Sequence, residues 1–120
     1  MKYLMFIKHA ETTPPPQPPA ALMQAMGEFV GRMMQRGILK DTGGLKPAAE
    51  SLHIRSKAGK LQVMDGPFAE SKEVIGGFAF VEVKTKEEAV EVAHEFMELH
   101  RVHWPEFECE SVVREVHGGE

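Results

Sequence analysis

Asp65-Gly66-Pro67-Phe68-Ala69-Glu70-Ser71-Lys72-Glu73 runs through Val74-Ile75-Gly76-Gly77 into Phe78-Ala79-Phe80-Val81-Glu82-Val83. A tight polar connection thus feeds a strongly apolar strand. Asp bonds its own downstream backbone, Gly accepts positive φ, and Pro fixes φ and removes a donor, so Asp-Gly-Pro is a turn. Gly76 to Val83 places Phe78 and Phe80 on one face and Ala79, Val81 and Val83 on the other. A strand apolar on both faces belongs at the centre of a sheet, covered on each side. The connection packs Asp65, Glu70, Ser71, Lys72 and Glu73 into nine residues, more ionisable groups than a turn needs. A functional site is expected beside it.

Just upstream the pattern alternates. Ser51-Leu52-His53-Ile54-Arg55 and Leu61-Gln62-Val63-Met64 flank the turn Lys57-Ala58-Gly59-Lys60, which reads as a β-hairpin. Leu52, Ile54, Leu61 and Val63 share its inner face, while His53 and Arg55 point to solvent. The second arm leads directly into Asp65, so the hairpin presents the central connection.

Towards the N-terminus, Lys2 to Lys8 is a nearly continuous apolar strand, expected to be buried on both faces, that delivers His9 and then Glu11. Five prolines between Thr12 and Pro19 rule out helix and inner strand and predict an exposed, extended loop. Leu22, Met26, Phe29, Val30 and Met33 then fall on one helical stripe, with Pro19 at its entry and Gly37 as its stop. Ile38 to Lys46 is extended, with a bend at Gly43-Gly44. Gly76-Gly77 lacks the spacing and lysine of a phosphate loop.

Downstream, Thr85-Lys86-Glu87-Glu88 is a capping box, in which the hydroxyl caps an amide three residues on and Glu88 reaches back. The helix it opens buries Ala89, Val92, Ala93 and Phe96 and turns Glu91, His94, Glu95 and Glu98 outward. His100 lies four residues after Phe96, on the buried stripe, with Arg101, His103 and Trp104 close behind and Pro105 ending the helix. His100 and His103 could grip a metal only with a further ligand from distant residues, and a helix C-terminus favours imidazole on its own. No metal and no cofactor is therefore expected. Glu108 to Val116 closes as a strand, and Cys109 is a partly buried, inert thiol.

Together the elements read β-α-β-(β-hairpin)-β-α-β, an α+β ferredoxin-like split βαβ plait in a single domain over 1–120. Two helices cover one sheet face only. The apolar residues of the other face call for a second copy of the chain, so a homodimer is expected. A net charge of −4 argues against nucleic-acid binding, and no apolar run approaches a membrane span. The short apolar start lacks a cleavage site, which makes the cytoplasm the expected location. One cysteine excludes an internal disulfide.

Met1-Lys2-Tyr3-Leu4-Met5, Gly44-Leu45-Lys46-Pro47 and the nine residues from Asp65 to Glu73 with Gly76-Gly77-Phe78 resemble the DGPF branch of the YCII-related family. The resemblance covers essentially the whole chain. It implies a ferredoxin-like fold paired sheet to sheet as a dimeric α+β barrel. It also implies cofactor-independent acid–base chemistry, including loss of HCl from a chlorinated aromatic, or a regulatory setting beside alternative sigma factors. The YCII branch proper uses a His–Asp pair with its histidine near the start of the first helix. Pro18-Pro19-Ala20-Ala21-Leu22 contains none, so only Asp65 carries over.

Two functional expectations follow. In the first, a small, aromatic or halogenated molecule binds a cleft at the dimer, with Asp65, His9, His100 or His103 as general base. Lys72 or Arg101 then stabilises a developing anion, and Phe68, Glu70 and Trp104 complete the binding surface. In the second, the protein is a non-catalytic ligand- or partner-binding module, and Asp65 merely caps its turn.

Overall fold

The computed structural model describes residues 1–12, 14–65 and 73–118. The chain runs β1 (Lys2–His9), α1 (Ala20–Gln35), β2 (Leu39–Gly44), a single 3-10 turn at Ala48–Glu50, β3 (Leu52–Lys57), β4 (Lys60–Asp65), β5 (Val74–Glu82), α2 (Lys86–His103) and β6 (Cys109–Glu115). Four strands form one antiparallel sheet in the order β2-β5-β1-β6, and β3 and β4 form a separate ribbon. β1 and β2 both run antiparallel to the β5 strand between them, and β5 and β6 likewise flank β1. Each helix therefore links two parallel strands across a third, the split βαβ arrangement read from the element order.

Both helices lie on one sheet face. Tyr3, Met5 and Val81 from the strands, and Val83 just after β5, meet Phe29 and Met33 from α1 and Ala89, Val92 and Ala93 from α2 in a single core. The rings of Phe29 and Phe96 sit 5.6 Å apart, and Arg32 pairs with Glu95 across the helix surface at 3.1 Å. α1 ends as its sequence dictates. Gly37 takes φ +74°, its amide bonds the Met34 carbonyl, and the Ile38 amide reaches back to Met33. At the start of α2 the Thr85 hydroxyl accepts from the Glu88 amide at 3.1 Å. The reciprocal bond from the Glu88 carboxylate is absent among the described contacts, so the expected box is half made.

Three further features differ from the sequence reading. β1 is buried only towards the helices, through Tyr3 and Met5, and its opposite face is half-buried. The irregularity in β2 falls between Leu39 and Asp41, not at the glycine pair, which remains paired with Phe78 and Gly77. The hairpin forms with the expected partners around a two-residue turn, Ala58 and Gly59 both at positive φ. Its apolar face, however, is not inner. Leu52, Ile54, Leu61 and Val63 are exposed, because no described element covers the ribbon. Alternation predicts which residues share a face and not whether that face is buried.

Candidate functional site

Between the helices and the sheet lies a cavity of about 450 Å³. Its floor is β1 and β5, through Met5, Ile7, Gly77 and Ala79. Its walls come from α1 (Leu22, Met26, Phe29, Met33) and α2 (Phe96, His100), and Pro16 and Pro18 of the proline-rich segment line it too. The cavity is on the helix side, whereas the sequence reading put a cleft at the open, dimer-facing side. No Asp, Glu, Lys or Arg lines it among the described residues. The polar side chains facing it are His9, His100, Thr42, Ser111 and the indole of Trp104, and the Thr42 hydroxyl is already donated to the Phe78 carbonyl at 2.8 Å.

His100 is buried on the last turn of α2. Its Nδ1 lies 3.0 Å from the Phe96 carbonyl oxygen. A carbonyl only accepts, so Nδ1 carries the proton and the neutral ring keeps its lone pair on Nε2. The Phe96 ring meets the imidazole edge-on at 4.7 Å, which limits its rotation. His9, at the end of β1, repeats the device. Its Nδ1 lies 2.9 Å from the Ala10 carbonyl, leaving Nε2 as the acceptor. The ring packs 5.3 Å from Phe107, which is stacked at 4.0 Å on Trp104. Neither Nε2 has a hydrogen-bond partner among the described residues. Two imidazoles with assigned tautomers thus line one aromatic, uncharged chamber.

Of the residues picked from sequence, His9, His100 and Trp104 line this cavity together. Asp65 does not: it is the exposed last residue of β4, opposite Leu52. His103 is half-buried and outside the lining. Arg101 is exposed and engaged by Glu98 one turn earlier, which raises the guanidinium and lowers the carboxylate relative to their ordinary values. Phe68, Glu70 and Lys72 lie outside the described residues. The far end of the central connection nonetheless reaches the chamber's rim. Glu73 pairs with Lys8 at 2.9 Å, beside His9, and Gly76 and Gly77 are part of the lining. The hydrogen bond to Glu73 and its charge raise the Lys8 ammonium.

Sequence reading did not single out Phe107, Phe29 and Phe96 as cavity-lining residues. Phe29 and Phe96 sit at core spacing, which looks the same whether a ring fills a core or walls a cavity. Phe107 carried one signal, an aromatic two residues after the helix-ending Pro105. Among the described residues no three His, Cys, Asp or Glu side chains gather as a metal site, and no helix is long and apolar enough to cross a membrane.

Comparison with known proteins matches the YCII-related domain to residues 1–98. An uncharacterised protein of Rhizobium meliloti (strain 1021) is 31% identical over 74 residues, 62% of this chain and 60% of that protein. The match thus spans about three fifths of the relative's length.

Proposed function

The chain belongs to the YCII-related domain family, and from that premise we propose a cofactor-independent acid–base enzyme acting on a small aromatic or halogenated molecule. The substrate binds in the helix–sheet cavity, and His100, with His9, supplies the base. The single observation that carries this reading is the pair of imidazoles lining one apolar chamber, each with Nδ1 held by a carbonyl and Nε2 without a hydrogen-bond partner among the described residues. An aromatic wall and a few convergent polar groups are the usual composition of a small-molecule site. Flat rings bind there by edge-to-face and offset contacts with Phe29, Phe96 and Trp104.

Chemically, Nε2 takes a proton from the bound molecule, and the imidazolium that forms keeps its Nδ1–H on the carbonyl, whose dipole favours the new charge. If the substrate carries halide on a neighbouring carbon, the electron pair of the broken C–H bond forms the double bond and halide leaves. With no Asp, Glu, Lys or Arg in the lining among the described residues, an ammonium ion meets no counter-ion inside, and a carboxylate meets none while the imidazoles are neutral. The DGPF-branch assignment, a sheet-to-sheet homodimer and a cytoplasmic location belong to the same proposal.

A thermal-shift screen of phenolic, carboxylic and halogenated small molecules tests it, run on wild type, His100→Phe and Asp65→Asn. A ligand that binds only the native state raises the melting point in proportion to its occupancy. The proposal expects neutral phenolic or halogenated hits, weakened in His100→Phe and unchanged in Asp65→Asn, with one hit consumed on incubation. Hits confined to carboxylates, or equal in all three proteins, overturn it.

One observation favours a second reading. No described carboxylate stands behind either imidazole, so nothing charged orients the base as a His–Asp pair would. A non-catalytic binding module in a sigma-factor-linked regulatory setting would show the same hits, with every ligand recovered unchanged.

A further inference from the structure

The β3–β4 ribbon is separate from the four-stranded sheet. Leu52, Ile54, Leu61 and Val63 are 65%, 68%, 77% and 69% exposed, all on one face. The other face carries Arg55, Lys57 and Lys60 with His53, Gln62 and Met64. Such a ribbon is amphipathic, with one face made for water and one for burial. A lone two-stranded hairpin is marginal in water, and its edges invite pairing. The chain is also extended for its size. Its radius of gyration is 16.2 Å, against about 14 Å for a compact chain of this length.

A second uncovered apolar surface lies on the sheet face away from the helices. Register places Leu4, Phe6, Phe78, Phe80 and Val112 there, all half-buried. A standard interface uses roughly 20–30 residues on each side. This sheet face presents only about a dozen, its charged rim of Lys2, Lys8, Asp41, Glu82, Glu110 and Arg114 included. The apolar face of the ribbon brings in six more: Leu52, Ile54, Ser56, Leu61, Val63 and Asp65.

We propose that the β3–β4 ribbon is a dimer arm whose apolar face lies against a second copy of this chain, extending the sheet-to-sheet contact. The inference rests on the homodimer proposed above and names the part of it that sheet pairing leaves out. A two-fold axis makes each copy both giver and receiver of an arm, so one contact closes the ribbon's exposed face together with the half-buried sheet face and no end remains for further growth. The basic face of the arm stays in water, which keeps the lysines at its tip solvated.

Analytical ultracentrifugation of wild type, Ile54→Asp/Leu61→Asp, an arm deletion with residues 52–65 replaced by a glycine-serine linker, and Val112→Glu on the sheet face tests it. Circular dichroism of each protein verifies folding. The arm lies outside the core, so both arm variants are expected to fold. The expected result is a wild-type dimer and a loss of roughly 30-fold or more in dimer affinity for both arm variants. Arm variants that dimerise like wild type overturn the arm and leave the sheet-face dimer standing if Val112→Glu is monomeric. Weakened arm variants beside an unaffected Val112→Glu uphold the arm and overturn the sheet-face contact. A monomeric wild type overturns both, and the arm is then covered by something other than this chain.

Discussion

The His9 ring occupies the space that a side chain on Gly76 would need: a Cβ built there falls 2.6 Å from His9 Nε2. The glycine is a condition for the imidazole's position at the rim of the chamber. Gly76→Ala is therefore expected to rotate the ring away while the fold survives, since the clash is with the far end of a side chain. Overpacking of this kind costs about 1–3 kcal/mol. His9→Ala removes the conflict, so the double variant should be more stable than the sum of the singles predicts. Thermal or urea denaturation of the four proteins reads that coupling directly. A strictly additive cycle would show that ring and glycine do not compete.

His100 should separate function from folding. His100→Phe keeps an aromatic ring on the buried stripe and removes Nε2. The Phe96 carbonyl is not orphaned, because it sits inside α2 and retains its helical partner. The expected loss of stability is about 1 kcal/mol, and the expected loss of turnover on any substrate found is about 10²–10⁴-fold. Equal loss of melting temperature and binding would instead mark His100 as a packing residue.

Much of this was legible in advance, and the limits have physical causes. The 3.6 period placed Leu22, Phe29 and Met33 inside α1, and the same period put His100 on the buried stripe of α2 when its polarity suggested surface. The order of elements was enough for the sheet, because short connections leave few ways to arrange it. The proposed site was only half legible. Asp65 drew attention through the density of carboxylates around it, yet charge density in a connection reports solvation as readily as chemistry. The chamber needs Phe107, Phe29 and Phe96, and local spacing cannot distinguish a ring lining a void from one filling it. Nor could alternation along Leu52 to Val63 say that the ribbon's apolar face is left bare within one chain.

Cys109 faces the helix side, opposite His9 in the β1–β6 pairing. Partial burial raises its thiol above the ordinary value. The sign is that the neutral form is favoured in the folded state, so at any pH near neutrality the folded protein holds less thiolate than the unfolded chain. Iodoacetamide should thus label native Cys109 more slowly than the urea-unfolded protein, and the native rate should go on rising at pH values where the unfolded rate has levelled off. Native labelling as fast as unfolded labelling contradicts this.

The Thr85 hydroxyl caps the start of α2, and Thr85→Ala removes that cap. The Glu88 amide then turns to water at an exposed helix end, so the cost is about 1 kcal/mol. With Glu88 not bonded back to Thr85, Glu88→Gln should change stability by no more than about 0.5 kcal/mol. Chemical denaturation of the two variants checks both halves of the cap.

Met33 and Leu61 are residues of similar size in opposite surroundings, 1% and 77% exposed. Met33→Ala opens a void at the junction of α1 and the sheet, beside a chamber that already exists. It should cost about 2–5 kcal/mol at every protein concentration. Leu61→Ala removes almost no contact within one chain, so at concentrations where copies are separate it should cost less than about 0.5 kcal/mol. At concentrations where copies associate, the proposed arm makes Leu61 a buried residue, and truncation should lower the melting point measurably. The two variants therefore differ in kind, and melting curves over a range of protein concentration distinguish them. A Leu61→Ala effect that stays flat with concentration would return the arm to solvent.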